Sequence, residues 1–439
     1  MSEVGKRGYK ETEIGWIPCN WSSSRLGNEV EAIVGGGTPS KDVPEYWGGE
    51  IPWASVKDFV ATRLSRTEDY ITSKAIKESS TNLIPAGTLI TPTRMALGRV
   101  AFFDCDVAIN QDLKAIFPKS SLIKEFLFYW FQSNAEKIEA AGTGSTVKGI
   151  RLELLREFGF ALPPLSEQGE IVAILRAVDD KLDVIARQID ATQTLKQGLM
   201  QSLFSRGVGT QDAAGRWVPH TEFEDSELGA IPIGWEVRSL ESVADVERGK
   251  FSARPRNDPK YFDGGDIPFV QTGDIASATR YLERASQFLN ANGLRVSKQF
   301  PVGTIFITIA ANIGDIAIGK IPMACPDSVV GIGANVDICN STWLYYLLGN
   351  NKDYFDSRAT QNAQKNINLQ VLRPFVFPMP TMSEQCRIAG ILTALDDKLD
   401  VLTSKQNHHQ TLKRGLMQKL LTGEWRVTLG VHHEIAIAA

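Results

Sequence analysis

The chain has 439 residues, with 47 Lys plus Arg against 51 Asp plus Glu and a formal net charge of −4. That length holds two or more domains. Near-neutral charge gives no general affinity for nucleic acid, so any DNA-binding face has to be a local patch. No long uncharged apolar run is present, which argues against a membrane span, and MSEVGKRGYKETEIGW lacks the apolar core of a secretory signal. Five cysteines form no CxxC and cannot all pair, so neither a zinc site nor a disulfide framework is indicated, and the expected compartment is the cytoplasm.

The opening ETEIGWIPCNW returns 214 residues later as DSELGAIPIGW, so that Glu13, Gly15, Ile17, Pro18 and Trp21 match Glu227, Gly229, Ile231, Pro232 and Trp235. Gly and Pro predict a fixed turn, and the Trp an anchor that packs it. A globular segment follows each opening. GGEIPWASVKDF matches GGDIPFVQTGDI, and PAGTLITPTRMALGRVA matches PVGTIFITIAANIGDIA, with turns at Gly98 and Gly314. Helices are expected around Lys124–Ala140 and Trp343–Arg358, short and peripheral. The strands are too short and irregularly spaced for a doubly wound sheet, so each segment reads as α+β.

PPLSEQ then opens a long helix whose copy begins at PTMSEQ; Glu384 lies 217 positions after Glu167, and Leu399 the same distance after Leu182. Ser166 and Ser383 suit the N-cap, with Glu167 and Glu384 in the first turn, where the helix dipole favours an anion. Apolar residues alternate four and three apart, through Leu175, Val178, Leu182 and Ile185 in one copy and Leu392, Leu395, Leu399 and Leu402 in the other. This is a coiled-coil seam, interrupted by polar Thr192 and Lys196 in the first copy and by Gln406, His409 and Lys413 in the second. A helix of that length spans about 60 Å. The chain therefore divides into a globular domain (1–164), a long helix (165–205), a looser linker (206–226), a second globular domain (227–381), a second long helix (382–421) and a tail (422–439) ordered in part at most.

These residues resemble the specificity subunit of type I restriction–modification systems. The shared features are the TEIGWIP opening, the PxxSEQ entry, the DDKLD helix, the GLMQ and TGEWRV endings, and two such units in tandem. The first copy departs from the pattern at its end, where SRGVG replaces LTGEW. The resemblance implies two target-recognition domains, each reading half of a bipartite sequence in double-stranded DNA. It implies two antiparallel helices between them that dock two modification (methyltransferase) subunits, and through the complex restriction/translocase subunits. S-adenosylmethionine would be bound by the partner, with no cofactor in this chain and no membrane.

The residues themselves offer no catalytic site. NDPKYF at Asn257 lacks the second proline and the upstream Gly-rich loop of a methyltransferase, GGGTPSKD lacks P-loop spacing, and Pro326-Asp327 has no Glu-x-Lys beside it. His408 and His409 diverge on a helix and cannot share a metal.

What remains is recognition. The GGGTPSK loop presents Gly36, Thr38 and Lys41, either as a flexible turn or as backbone amides for a phosphate. Its counterpart ERGKFSARPR carries Lys250, Arg254 and Arg256. Polar loops with Ser145, Thr146 and Lys148, and with Gln361, Asn362, Gln364 and Lys365, carry side chains suited to base edges. Loop position adds Arg94, Asn110, Gln111, Gln271 and Asn312. The rival reading is a coiled-coil adaptor for proteins without a DNA role; salt-steep binding to one bipartite sequence separates the two.

Overall fold

The computed structural model describes residues 7–144, 147–310, 312–359 and 366–427. It divides into two compact units: residues 1–186 with 404–439, and residues 187–403. Each unit is built from one globular segment plus parts of both long helices, because the helices, Leu165–Arg206 and Met382–Leu420, run unbroken through both boundaries. They begin one residue before the expected caps. Ser166 and Ser383 therefore lie inside the first turn, where the Gln168 and Gln385 amides bond back to the carbonyls of Pro164 and Thr381.

In the first unit a five-stranded sheet runs in the order Val30–Gly35, Leu113–Pro118, Leu89–Pro92, Ala101–Phe103, Arg63–Leu64, antiparallel except for the last pair. A four-stranded sheet, Asp69–Ile71, Trp47–Ala54, Val107–Ile109, Asn82–Ile84, packs with it. The second unit repeats both, with a five-stranded sheet from Ala244–Arg248 through Val329–Ala334, Ile305–Thr308 and Ile316–Gly319 to Tyr281–Leu282. Alternating helices and mainly antiparallel short strands make the fold α+β.

The expected peripheral helices are central instead. Lys124–Ser133 buries Phe126 through Phe131 consecutively, and Ser341–Asn350 buries Trp343 through Leu348. A helix buried around its circumference belongs inside a core, and each packs against the long helices of its own unit. Each also stops earlier than expected, at Asn134 and Asn351. There an asparagine amide donates back to the carbonyl four residues earlier, Trp130 at 2.9 Å and Leu347 at 2.8 Å, and a second short helix follows.

Within each unit the two helix stretches run antiparallel. Ile171, Val172 and Leu175 pack with Leu416 and Leu420 in the first unit; Ile388, Ala389 and Leu392 pack with Leu199 and Leu203 in the second. The GLMQ repeat thus supplies the apolar cover for the opposite helix's first turns. Of the seam, Leu175, Val178, Ile185, Leu392 and Leu402 are buried, and Leu182, Leu395 and Leu399 half-buried.

The SEQ repeat ties each helix start to its globular segment. Glu167 accepts from Trp21 Nε1 at 2.8 Å and Glu384 from Trp235 Nε1 at 2.9 Å. Gln168 and Gln385 accept the backbone N–H of Ile123 and Asn340, both at 2.8 Å, and donate to nearby carbonyls.

The stretch expected as a loose linker is structured. It forms two hairpins, Thr210–Gln211 with Trp217–Val218 and Phe223–Ser226 with Gly229–Pro232. Glu384 holds it through the N–H groups of Val208 and Gly209 and through His220 Nε2. The tail, as far as Val427, is fastened likewise: Arg426 reaches Glu167 at 2.7 Å, and Val427 packs against the core. The chain after each helix thus reaches the equivalent buried carboxylate, through Val208 and Gly209 at Glu384 and through Arg426, just past LTGEW, at Glu167.

Candidate nucleic-acid interface

Strand register decides which loops meet. In the first unit Gly35 pairs with Lys114 and Leu113 with Pro92. The GGTPSK loop, the Asn110–Asp112 turn and the loop after Pro92 therefore leave the five-stranded sheet at one end. Thr38 Oγ1 donates to Gln111 Oε1 at 2.6 Å. Arg94 lies 3.6 Å from Asp112 and bridges through its backbone to Gly149, while the Met95 N–H donates to the Lys148 carbonyl. The structure thus brings Thr38, Gln111, Arg94 and Lys148 together, with exposed Lys41 farther along the same loop.

Other expected contacts have structural employment. A Cβ on Gly36 would stand 1.8 Å from the Ile109 carbonyl oxygen, so glycine is there for close approach to the sheet. Indole N–H groups of Trp53 and Trp47 anchor the carbonyls of Gly37 and Ser40, both at 3.1 Å, so this loop is held rather than flexible. Asn110 is 7% exposed and caps the turn, its Oδ1 accepting the Asp112 N–H at 3.1 Å. It faces inward. Ser145 and Thr146 lie outside the described residues.

The second unit repeats the arrangement, with Arg248 paired to Val330 and Thr308 to Val329. Around that end lie exposed Lys250, Arg254, Arg256 and Asn312. Two of the cations are engaged: Arg256 ion-pairs with Asp327 at 2.9 Å, and Arg254 donates to the Ala253 carbonyl at 2.7 Å. Arg248 also donates to the Asp327 carbonyl. Gln271 caps a short helix and donates to Gln287 Oε1 at 3.1 Å. Arg256, Gln271 and Gln287 border a cleft of about 660 Å³ together with Asn257, Phe262 and Phe288. Gln361, Asn362, Gln364 and Lys365 lie outside the described residues, between Ala359 and Asn366, whose backbone bridges to Ala310 at this same end.

Three side chains at these sheet ends were not singled out from the sequence. Lys114 sits on a strand with its ammonium on the Gln111 carbonyl at 2.5 Å, and burial lowers its pKa. Asp327 organises the arginines, and Gln287 completes the amide pair. Only the pairing of Lys114 opposite Gly35 could have flagged the lysine, and that pairing is a tertiary fact. Among the described residues, no group of three or more His, Cys, Asp or Glu could hold a metal ion, and no helix is long and apolar enough to cross a membrane.

Two copies of an α+β unit, each presenting polar and basic loops from one sheet end and each fastened to the same helix pair, define a duplicated recognition protein. The chain belongs to the type I restriction–modification DNA specificity family, whose domain model matches residues 18–193 and again 232–409. It is 30% identical over 292 residues to the type I restriction enzyme MjaIX specificity subunit of Methanocaldococcus jannaschii, an alignment covering 65% of each chain. With the putative MjaX specificity subunit of that organism it shares 27% over 438 residues, 96% of this chain and 97% of the relative. The EcoR124I/EcoR124II specificity subunit of Escherichia coli is 36% identical over 188 residues, 41% of this chain and 44% of that one. The crystal structure of the M. genitalium type I system S subunit has the same fold, with a TM-score of 0.57 at 16% identity over 92% of this chain and 96% of that one.

Proposed function

We propose that this chain is the non-catalytic subunit that reads a bipartite DNA target, one half-site per unit, and docks two methyltransferase subunits and, through them, restriction subunits. The observation that carries this is a frame repeated without its loops. The Trp–Glu tie, the glutamine staple and the helix packing recur in both units, whereas the loops at the sheet ends differ in length, charge and sequence. Selection for one partner surface twice and for two different half-sites produces that pattern.

In the first unit Thr38, Gln111, Arg94, Lys148 and Lys41 form the reading strip; in the second Lys250, Arg254, Arg256, Gln271 and Asn312 do. Amides suit adenine edges and the cations suit guanine or phosphate. Methyl transfer belongs to the partner, with S-adenosylmethionine bound there. Exchanging residues 27–164 for those of a relative tests the reading. The methylated sequence should change in one half only, and a change in both halves would defeat it.

A further inference from the structure

The four-stranded sheet of each unit holds a carboxylate in the same place and carries different side chains around it. In the second unit Asp274 accepts the Gln271 N–H at 2.8 Å and the Ser286 N–H at 3.2 Å. In the first, Asp58 accepts the Ser55 N–H at 2.7 Å and the Glu68 N–H at 2.8 Å. Each carboxylate thus joins the turn after the inner strand to the start of the neighbouring edge strand. The register agrees: Phe269 faces Gln287 as Trp53 faces Asp69. Gln271 and Gln287 therefore stand where the first unit has Ser55 and Asp69.

Gln271 Nε2 donates to Gln287 Oε1 at 3.1 Å. That bond uses one of the two lone pairs on the oxygen and neither of the Gln287 N–H donors, so the outer amide is oriented and can still accept and donate. Gln287 is exposed on the edge strand Gln287–Leu289, and with Arg256 it borders the cleft of about 660 Å³. Phe251, Phe262 and Phe269 wall that cleft, their ring centres 5.1 to 6.3 Å apart, and this packing fixes the strands beneath the amide pair. Phe288, 42% exposed, lines the cleft beside Gln287. An aromatic left open on an edge strand, next to an oriented amide, suits a surface that a ligand covers.

We propose that Gln287 reads one adenine of the second half-site, with Gln271 as the residue that positions it. The proposal deepens the DNA-specificity reading and rests on it. An amide with acceptor and donor side by side matches the N6 amino group and N7 of adenine in the major groove, where guanine offers two acceptors and cytosine a donor. Phe288 supplies the apolar surface that meets the thymine methyl of the same base pair. A side chain already tied in its reading orientation gives up less rotamer freedom on binding than a loose one. Asp69, at the equivalent position of the first unit, is an acceptor alone when ionised, so the two units share the frame and not the base.

The test uses the full chain with its methyltransferase partner and a library of randomised duplexes whose methylated sites are sequenced. The unmodified complex should return one bipartite consensus. Gln287→Ala should make a single A·T position of one half degenerate, lowering the preference there at least fivefold, the low end for a bidentate amide on a base, and leaving every other position as it was. Gln287→Glu keeps the acceptor for Gln271 and removes the donors, and should move that position to C·G. Gln271→Leu keeps the backbone N–H on Asp274; it should relax the same position about threefold, the worth of one hydrogen bond, at an unchanged melting temperature. A consensus unchanged by Gln287→Ala, a loss spread over the whole half-site, or an effect at a G·C pair overturns the proposal. An unmodified complex that methylates the library with no consensus would instead sink the DNA-specificity reading.

Discussion

Trp21 and Glu167 lie 146 residues apart in the chain and meet in a 2.8 Å hydrogen bond, with the carboxylate 3% exposed. Asn20 and Arg426 complete the shell at 2.9 and 2.7 Å. A buried carboxylate is tolerable only when its oxygens are satisfied, so this residue gathers the opening turn, the long helix and the tail around itself.

Trp21→Phe removes the N–H and shrinks the buried indole to a phenyl. It should destabilise the first unit by about 1–3 kcal/mol for the unsatisfied buried acceptor, and by more for the cavity. Thermal denaturation checks it. Trp235→Phe should cost less, since Glu384 retains two backbone N–H donors and His220.

The same carboxylate makes the first unit acid-sensitive. Burial alone would raise the Glu167 pKa, but hydrogen bonds from Trp21, Asn20 and Arg426, with the arginine's charge, bring it below the ordinary value. Its contribution is therefore fully present above the ordinary carboxylate range and is lost as pH falls through the depressed folded value. Melting curves of the native chain and Glu167→Gln should differ most at neutral pH and converge in acid. A gap that widens in acid contradicts this.

Both helix exits depend on a glycine. Gly207 and Gly423 have φ of 69° and 72°, and a Cβ would stand 2.1 Å from Glu384 Oε1 or 2.5 Å from Pro18 Cδ. Ala at either position should cost about 1–3 kcal/mol from backbone strain alone, and more from the clash. Urea denaturation of each variant measures it, and a cost below half a kcal/mol would refute the close approach.

At the sheet ends, positioning and reading should separate. Lys41→Ala and Lys250→Ala should weaken cognate and random DNA alike and flatten the salt dependence by about one unit of slope each. Gln111→Ala should cost about 1–3 kcal/mol on the first half-site only, measured against a duplex with that half scrambled. Arg256→Ala should have a smaller effect than Lys250→Ala, because Arg256 has to leave Asp327 to meet a phosphate. Sequence-selective loss from Lys250→Ala with silence from Gln111→Ala would reverse the assignment.

Sequence alone determined the duplication, the two long helices and the α+β class, because these are written in spacing. A seam of Leu175, Val178, Ile185 and their copies is visible wherever apolar residues keep a helical period, and Gly-Pro turns announce themselves locally. Only the tertiary structure decided what the polar residues do. Lys196 and Asp396 are 200 positions apart, so Lys196 reads as a break in the seam until the antiparallel helix brings its partner. Asn110 reads as a loop amide until the strand register turns it inward, and Arg256 as an open cation until Asp327 is placed beside it. Apolar burial is non-directional and follows composition, whereas a hydrogen bond or ion pair exists only when a particular partner arrives within about 3 Å.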